Sequence, residues 1–469
     1  MDSSSENFNN IMTDADNYTP QYHVPAENVF DELKKHMLVD GFDLVLDLEK
    51  SRGSIIKDAR NGRKLVDFFT SFASMPIGFN HPKMNEPGFI EYLGKLGLNK
   101  PSSSDVYTET LATFLKTFFK IAVPPAFKYA FFIDGGTLAI ENALKVAFDW
   151  KVLKNRRKGY TTDRGQQILH FKQAFHGRSG YTMSLTNTDP VKTASFPKFN
   201  WPRVHNPYIK FPLTEENLQD VIRQEQQSIA GIMEAFKNNQ DDIAAIILEP
   251  IQAEGGDNHF RPEFLKELRR ICDEQEALLI FDEVQTGVGL TGTMWAFEQL
   301  GVTPDILAFG KKMQTCGIIV TNRIDDEPEN VFHVSSRINS TWGSNLVDMA
   351  RVTKYLEIIQ EENLLKNAAE MGEYLMQKLQ ALQQQFPQII SNVRGRGLMC
   401  AFDFSNAETR ANFRTICYEK GLVILAAGSR SIRFRTALNI TRELIDQGMD
   451  IITESVREAA THNPDTNGL

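Results

Sequence analysis

The sequence predicts an α/β protein with a smaller α+β unit at its carboxyl end, and three observations carry that prediction. From about residue 128 to 310, short apolar runs alternate with helical patterns, the mark of strand–helix–strand units and a mostly parallel sheet. Three of those runs end on charged residues at similar intervals: "IAAIILEP" on Glu249, "ALLIFDE" on Asp282 and "DILAFGKK" on Lys311, 33 and 29 residues apart. Beyond about residue 345 the pattern changes to long charged helices, over 348–362 and 364–385, before short strands near "GRGLMCAFDF" and "SIRFRTALNI".

Each element has its own local signal. "FIDGGTLAIENALK" reads as a strand, two glycines and a helix. In that helix, Thr137 to Leu153, Ile140, Leu144, Phe148 and Val152 recur every four residues with Ala143 and Ala147 beside them. A second helix, Pro262 to Ala277, has proline in its first turn and Phe264, Leu265, Leu268 and Ile271 on one face. "SIRFRTALNI" alternates as a strand, with Ile432 and Phe434 on one side and Arg433 and Arg435 on the other. The expected organisation is a disordered tip at 1–24, a segment at 25–90 packing with the small domain, a large domain at 91–345 and a small domain at 346–469.

Composition narrows the function. A chain of 469 residues, 42% hydrophobic and 24% charged, is long enough for two or three cores. Its formal net charge of −9 repels nucleic acid and anionic lipid. The longest aliphatic run, Ile243 to Leu248, falls far short of the roughly 20 residues a membrane span needs. The first 33 residues contain no Lys or Arg, which fits neither a secretory signal nor a transit peptide. Cys272, Cys316, Cys400 and Cys417 lack metal-ligand spacing and suit a reducing compartment, so no metal and a cytoplasmic location are expected.

The charged strand ends carry the chemistry. In an open α/β sheet the carboxyl edge is where ligands bind. A carboxylate buried there costs several kcal/mol unless it meets a cation. Asp282 therefore asks for a positive partner, and a protonated ring nitrogen would serve. Gly135 and Gly136 opening a helix favour a phosphate through free N–H groups and the helix dipole. Their spacing is neither GxGxxG nor GxxxxGK[ST]. Phe175, before His176 and Gly177, could lie on a flat ring or belong to the core. Lys311 and Lys312 adjoin, and only one need be chemical. A phosphate cradle, an aromatic plate, a strand-end acid and a strand-end lysine together describe a site for pyridoxal 5′-phosphate, with the lysine as Schiff-base former and the acid holding the pyridinium proton.

Those stretches, with "LNKPSSSDVYT", "AFHGRSGYTMSLTNT", "EPIQAEGGDNHFRPEF", "LLIFDEVQTGVGLTGTMWA", "NSTWGSNLVDM" and "RGRGLMCAF", resemble the class III pyridoxal-phosphate-dependent aminotransferases over nearly all of residues 35–440. Within that family the likeness is closest to the L-lysine 6-transaminase branch. It implies the fold-type-I architecture, with a mostly parallel seven-stranded sheet flanked by helices and a smaller α+β domain. It also implies pyridoxal 5′-phosphate as cofactor, L-lysine and 2-oxoglutarate as substrates in a ping-pong exchange, and a homodimer with shared active sites.

By the same resemblance Lys311 is the Schiff-base lysine, Asp282 holds the pyridine nitrogen and Gln285 bonds the phenolic oxygen. Gly136 and Thr137 match the phosphate turn and Phe175 the stacked ring, while Thr341 reaches the phosphate from the neighbouring subunit. For substrates, Arg178 grips the α-carboxylate of lysine and Arg433 that of the dicarboxylate. Glu254 is implied as a switchable partner of Arg433, and Phe72 lines the pocket. Thr436 and Ala437 stand where many members have two prolines, and Leu138 where many have glutamate. Another ω-amine donor (ornithine or 4-aminobutyrate), an aminomutase and a non-catalytic vitamin B6 binder are the competing readings.

Overall fold

The computed structural model describes residues 18–461 apart from residue 344. Its centre is a seven-stranded sheet in the order Phe127–Ile133, Cys316–Thr321, Ile306–Phe309, Leu278–Asp282, Ile243–Leu248, Gln167–Phe171 and Arg203–Val204. Cys316–Thr321 runs antiparallel to both of its neighbours, and the remaining adjacent pairs are parallel. The α/β class and the mostly parallel seven-stranded sheet are as expected.

Alternation along each strand builds two apolar layers. Leu278 and Ile280 join Ile140, Leu144 and Trp150 on one face, whereas Leu279 and Phe281 join Phe264, Leu265, Leu268 and Ile271 on the other. Burying each such side chain stabilises the fold by roughly 1.5–3 kcal/mol. Because helices cover both faces, the strands read as unbroken apolar runs rather than as alternating ones.

The helices match their patterns closely. The helix expected over 137–153 extends to Gly136–Arg157. The one expected over 262–277 stops at Glu274, and Glu276 then takes a left-handed φ of 50° to turn the chain into the next strand. Leu346–Glu361 starts where the Asn345 side chain accepts from the Asp348 N–H at 2.9 Å. Leu364–Gln385 spans the expected residues.

A second, antiparallel sheet is ordered Ile390–Arg396, Met399–Phe404, Ser431–Phe434 and Leu425–Ala427. The N-terminal segment joins the carboxyl part of the chain through a third sheet, where Val66 of Lys64–Asp67 pairs with Leu422. The larger apolar cluster includes Phe127, Phe281, Leu375, Phe434 and Ala459, so packing is continuous across the expected 345/346 division. Residues 1–17 of the expected disordered tip lie outside the described residues. No described helix is long and apolar enough to cross a membrane.

Strand direction positions the site. Asp282 stands opposite Ala308 on the neighbouring parallel strand, three residues before Lys311. Leu248 stands opposite Phe281, so Glu249 and Asp282 emerge side by side.

Candidate active site

Gly136, Thr137, Phe175, Asp282, Gln285 and Lys311 line one cavity of about 180 Å³ at this carboxyl edge. Asp282, which ends strand Leu278–Asp282, and Glu283, which follows it, have separate tasks. Asp282 receives the Val284 N–H on Oδ1 at 3.0 Å and faces His176 Nδ1 from Oδ2 at 2.8 Å, which fixes its carboxylate in the cavity wall. Glu283 turns into the protein, where its oxygens accept from the N–H groups of Ala296 and Phe297 at 2.7 and 2.9 Å and from Thr286 Oγ1 at 2.9 Å. Burial pushes the Glu283 carboxyl up to about 7.

Glu249 is a third buried acid. It accepts the Phe175 and Ala253 N–H groups, both at 3.0 Å, and so ties the loop carrying Phe175 to the sheet. Burial raises its pKa, the nearby His176 opposes that shift, and Asp282 adds to it.

Neither of the adjacent lysines is fully solvated, Lys312 being buried and Lys311 half-buried, and they part company at the backbone. Lys311 adopts a left-handed φ of 46° after the extended Gly310, and it lines the cavity. Burial lowers its pKa, with Asp282 acting in the opposite direction, so more of the amine is neutral and nucleophilic than in water. Lys312 Nζ instead donates to the Ala73 carbonyl at 3.1 Å. That carbonyl closes a left-handed turn in which Thr70, Ser71, Phe72 and Ala73 have φ of 43°, 51°, 59° and 68°. Left-handed backbone costs about 1–2 kcal/mol per residue for side chains other than glycine, so such a turn needs external support. Asp67 Oδ1 accepts the Phe69 and Thr70 N–H groups at 2.8 and 2.7 Å, and Thr70 Oγ1 donates to the Arg435 carbonyl at 2.8 Å.

The strand–glycine–helix turn is present at the cavity. Gly135, at φ 97°, precedes helix Gly136–Arg157 and supplies no side-chain cap, which leaves the first-turn N–H groups for an anion. A Cβ on Gly136 would lie 2.8 Å from Val284 Cγ1, so the backbone approaches the cavity wall only because glycine is there.

Gln285 is oriented by two arginines. Its Oε1 accepts from Arg435 Nε at 2.9 Å and Arg433 Nη1 at 3.2 Å, which leaves the amide Nε2 as the end available to donate. That is the polarity a phenolic oxygen requires. The two arginines of strand Ser431–Phe434 and its extension then differ. Arg435 makes a two-pronged ion pair with Asp257, at 2.6 and 2.9 Å, and is structural. Arg433 is buried, pairs with no carboxylate among the described residues, and leaves its Nε without a partner.

A larger pocket of about 550 Å³ adjoins the cavity and is bordered by Phe72, Phe175, Arg178, Glu254 and Arg433. Phe72, 51% exposed, presents the tip of the left-handed turn. Arg178 is exposed and has no ion-pair partner among the described residues, so the structural ion pair that its position could have supplied is absent there. Glu254 meets Lys192 rather than Arg433. Thr341 lies apart from this cavity, exposed on the same chain.

Comparison with known proteins decides the family. The aminotransferase class-III family model matches residues 39–456. The chain belongs to the class III aminotransferases. It is 47% identical over 437 residues to the L-lysine-epsilon aminotransferase of Streptomyces clavuligerus, covering 93% of this chain and 95% of that protein. The structure of lysine aminotransferase from M. tuberculosis superposes with a TM-score of 0.91 at 46% identity, over 93% of this chain and 100% of the other. Human mitochondrial 4-aminobutyrate aminotransferase is 32% identical over 409 residues, covering 83% of this chain and 80% of that protein.

Pyridoxal 5′-phosphate is the cofactor of class III aminotransferases, and this aminotransferase has the residues to hold it. The uncapped helix start suits the phosphate, the strand-end carboxylate the ring nitrogen, and the Gln285 amide the phenolic oxygen. Sequence reasoning assigned no role to His176, Glu249 or Lys192. For His176 a signal existed, since it adjoins Phe175 in "AFHG". Glu249 stood at a strand end without an assigned partner. Lys192 sits in a loop with no motif, and only folding brings it to Glu254.

Proposed function

We propose that this aminotransferase moves the ε-amino group of L-lysine to 2-oxoglutarate, giving 2-aminoadipate 6-semialdehyde and L-glutamate by a ping-pong route. The carrying observation is the pair of guanidinium groups, Arg178 and Arg433, that border the pocket beside the Lys311 cavity without carboxylate partners among the described residues. One suits the single carboxylate of lysine, and a second is needed for a dicarboxylate. Relatives named L-lysine-epsilon aminotransferase, at 46–47% identity, support the same substrate.

In this reading, bound pyridoxal 5′-phosphate supplies an aldehyde to take up the amine and a ring to accept electrons from the neighbouring carbon. Asp282, held by His176 and the Val284 N–H, keeps the ring nitrogen protonated. Lys311, with its lowered pKa, takes a proton from the ε-carbon and returns one. Arg178 binds the α-carboxylate so that the ε-amine points inward, Phe175 would lie against the face of the cofactor ring, and Phe72 supplies the apolar wall.

The same reading assigns Thr341 to the neighbouring subunit's phosphate in a homodimer, which its exposed position allows. The four buried free thiols accord with a cytoplasmic location. The residue ranges 25–90, 91–345 and 346–469 remain the proposed division of the chain. The test is a product assay with lysine and 2-oxoglutarate, set beside ornithine and 4-aminobutyrate. Faster turnover of either rival donor would overturn the assignment to lysine.

A further inference from the structure

Of the two guanidinium groups on the Gln285 carbonyl, Arg435 is the one committed to the interior. It is fully buried, and each of its three nitrogens donates inside the protein: Nη2 and Nη1 to Asp257 at 2.6 and 2.9 Å, Nη1 also to the Phe434 carbonyl at 2.7 Å, and Nε to Gln285 Oε1 at 2.9 Å. Its backbone is gripped as well. The Arg435 N–H donates to the Phe68 carbonyl at 3.0 Å, and its carbonyl accepts from Thr70 Oγ1 at 2.8 Å. Arg433 reaches the same Gln285 oxygen at 3.2 Å but borders the substrate pocket, where a bound carboxylate competes for it.

Asp257 makes the arrangement stiff. It is buried to all but 1% and holds a left-handed φ of 50°. Its carbonyl accepts from Arg394 Nε at 2.9 Å, and Arg394 Nη2 in turn reaches Asp403 Oδ1 at 2.8 Å. A planar guanidinium whose fork is held by a carboxylate cannot rotate, so its Nε–H points one way. A glutamine amide, by contrast, presents a donor and an acceptor of nearly the same shape and can turn over at little steric cost. Turned over, Gln285 would set a carbonyl oxygen against the phenolic oxygen of the cofactor.

We infer that Arg435, locked by Asp257, is a positioning residue: it fixes the Gln285 amide with its donor end toward the phenolic oxygen of pyridoxal 5′-phosphate and so stabilises negative charge there. This rests on the reading that Gln285 meets that oxygen. Arg435 does not border the cofactor cavity and acts through Gln285.

The experiment is an absorbance titration of the cofactor-loaded protein without substrate, which reads the pH midpoint at which the visible band of the lysine-linked cofactor changes. A donor stabilises the phenolate most once the neighbouring nitrogen has lost its proton, so losing the donor moves the midpoint up. The proteins compared are wild type, Gln285→Leu, Arg435→Lys, the neutral pair Asp257→Asn with Arg435→Gln, and that pair combined with Gln285→Leu. The neutral pair leaves no buried charge without a partner. Arg435→Lys keeps a cation for Asp257 but loses the fork, so it carries the test where the neutral pair does not fold. Gln285→Leu, Arg435→Lys and the neutral pair should each raise the midpoint by roughly 0.5–1.5 pH units, and the triple variant no further than Gln285→Leu alone. Binding of pyridoxal 5′-phosphate to the cofactor-free protein should weaken about 3–10-fold in the same variants, again without a further loss in the triple.

A higher midpoint in the triple variant than in Gln285→Leu would mean that Arg435 acts through its bare charge, and would overturn the inference. So would an Arg435→Lys or neutral-pair protein that melts at a lower temperature yet keeps the wild-type midpoint, since that is a structural role alone. If Gln285→Leu itself leaves the midpoint in place, the contact between Gln285 and the phenolic oxygen falls and the inference with it. Failure to transaminate lysine, with every midpoint as expected, would sink only the assignment of substrate.

Discussion

The cofactor cavity and the substrate pocket share a wall, yet they are built on opposite plans. The cavity is made from strand ends and a helix start, and its acids are pinned: Asp282 by His176 and Val284, Glu249 by Phe175 and Ala253. The pocket draws on the loop bearing Lys192, a left-handed turn bearing Phe72 and the strand bearing Arg433, and its Glu254 meets a lysine side chain, Lys192, rather than backbone N–H groups. One region fixes charge where the chemistry needs it. The other keeps charge exchangeable, which is what two different substrates in one pocket demand.

The largest test of this contrast is at the paired lysines. Lys311→Ala should lower turnover by at least ~10³-fold and remove the visible absorbance of the lysine-linked cofactor. Lys312→Ala should keep that absorbance and lower thermal stability, because it frees the carbonyl that closes the 70–73 turn. A surviving band in Lys311→Ala would reverse the two roles. Next in size, Asp282→Asn should slow the lysine half-reaction by roughly 10²-fold with cofactor retained, as rapid-mixing absorbance would reveal. Loss of cofactor with normal chemistry in the remaining loaded fraction would mean that the acid serves binding alone.

On the pocket side, Arg433→Met should raise the 2-oxoglutarate KM about 10–100-fold, the loss of a charge-assisted bond of roughly 1.5–3 kcal/mol. The lysine half-reaction should stay within about 3-fold. Comparable losses for both substrates would erase the distinction between a fixed and an exchangeable region.

The smallest effect concerns Glu283, whose pKa is raised from 4.5 to about 7 by burial. The folded state then binds this proton more tightly than the unfolded one, so its contribution is full below the unfolded value and is lost as pH rises through about 7. Melting temperature should accordingly fall between pH 5 and 8, and Glu283→Gln should flatten that slope even while lowering stability overall. An unchanged slope would move the titration elsewhere, with Glu249 the first alternative.

How much of this was legible beforehand follows from how each group is held. Asp282, Lys311 and the glycine turn were readable because strands of one parallel sheet end at one edge, so sequence spacing translates directly into proximity. Gln285 was assigned by resemblance, but the reason its amide points the right way lies in Arg433 and Arg435, about 150 residues away. Asp282 was told from Glu283, and Lys311 from Lys312, by resemblance, since spacing alone does not separate adjacent acids or adjacent lysines.

The sequence by itself determined the sheet, its covering helices and the charged residues at its carboxyl edge, because apolar periodicity and strand length are local properties. Tertiary structure alone decided which of two adjacent acids and two adjacent lysines face the cavity, and that Glu254 meets Lys192 while Arg433 meets no carboxylate among the described residues. Those choices depend on desolvation and on partners drawn from distant segments, and the energies that decide between them exist only once the chain has closed around the site.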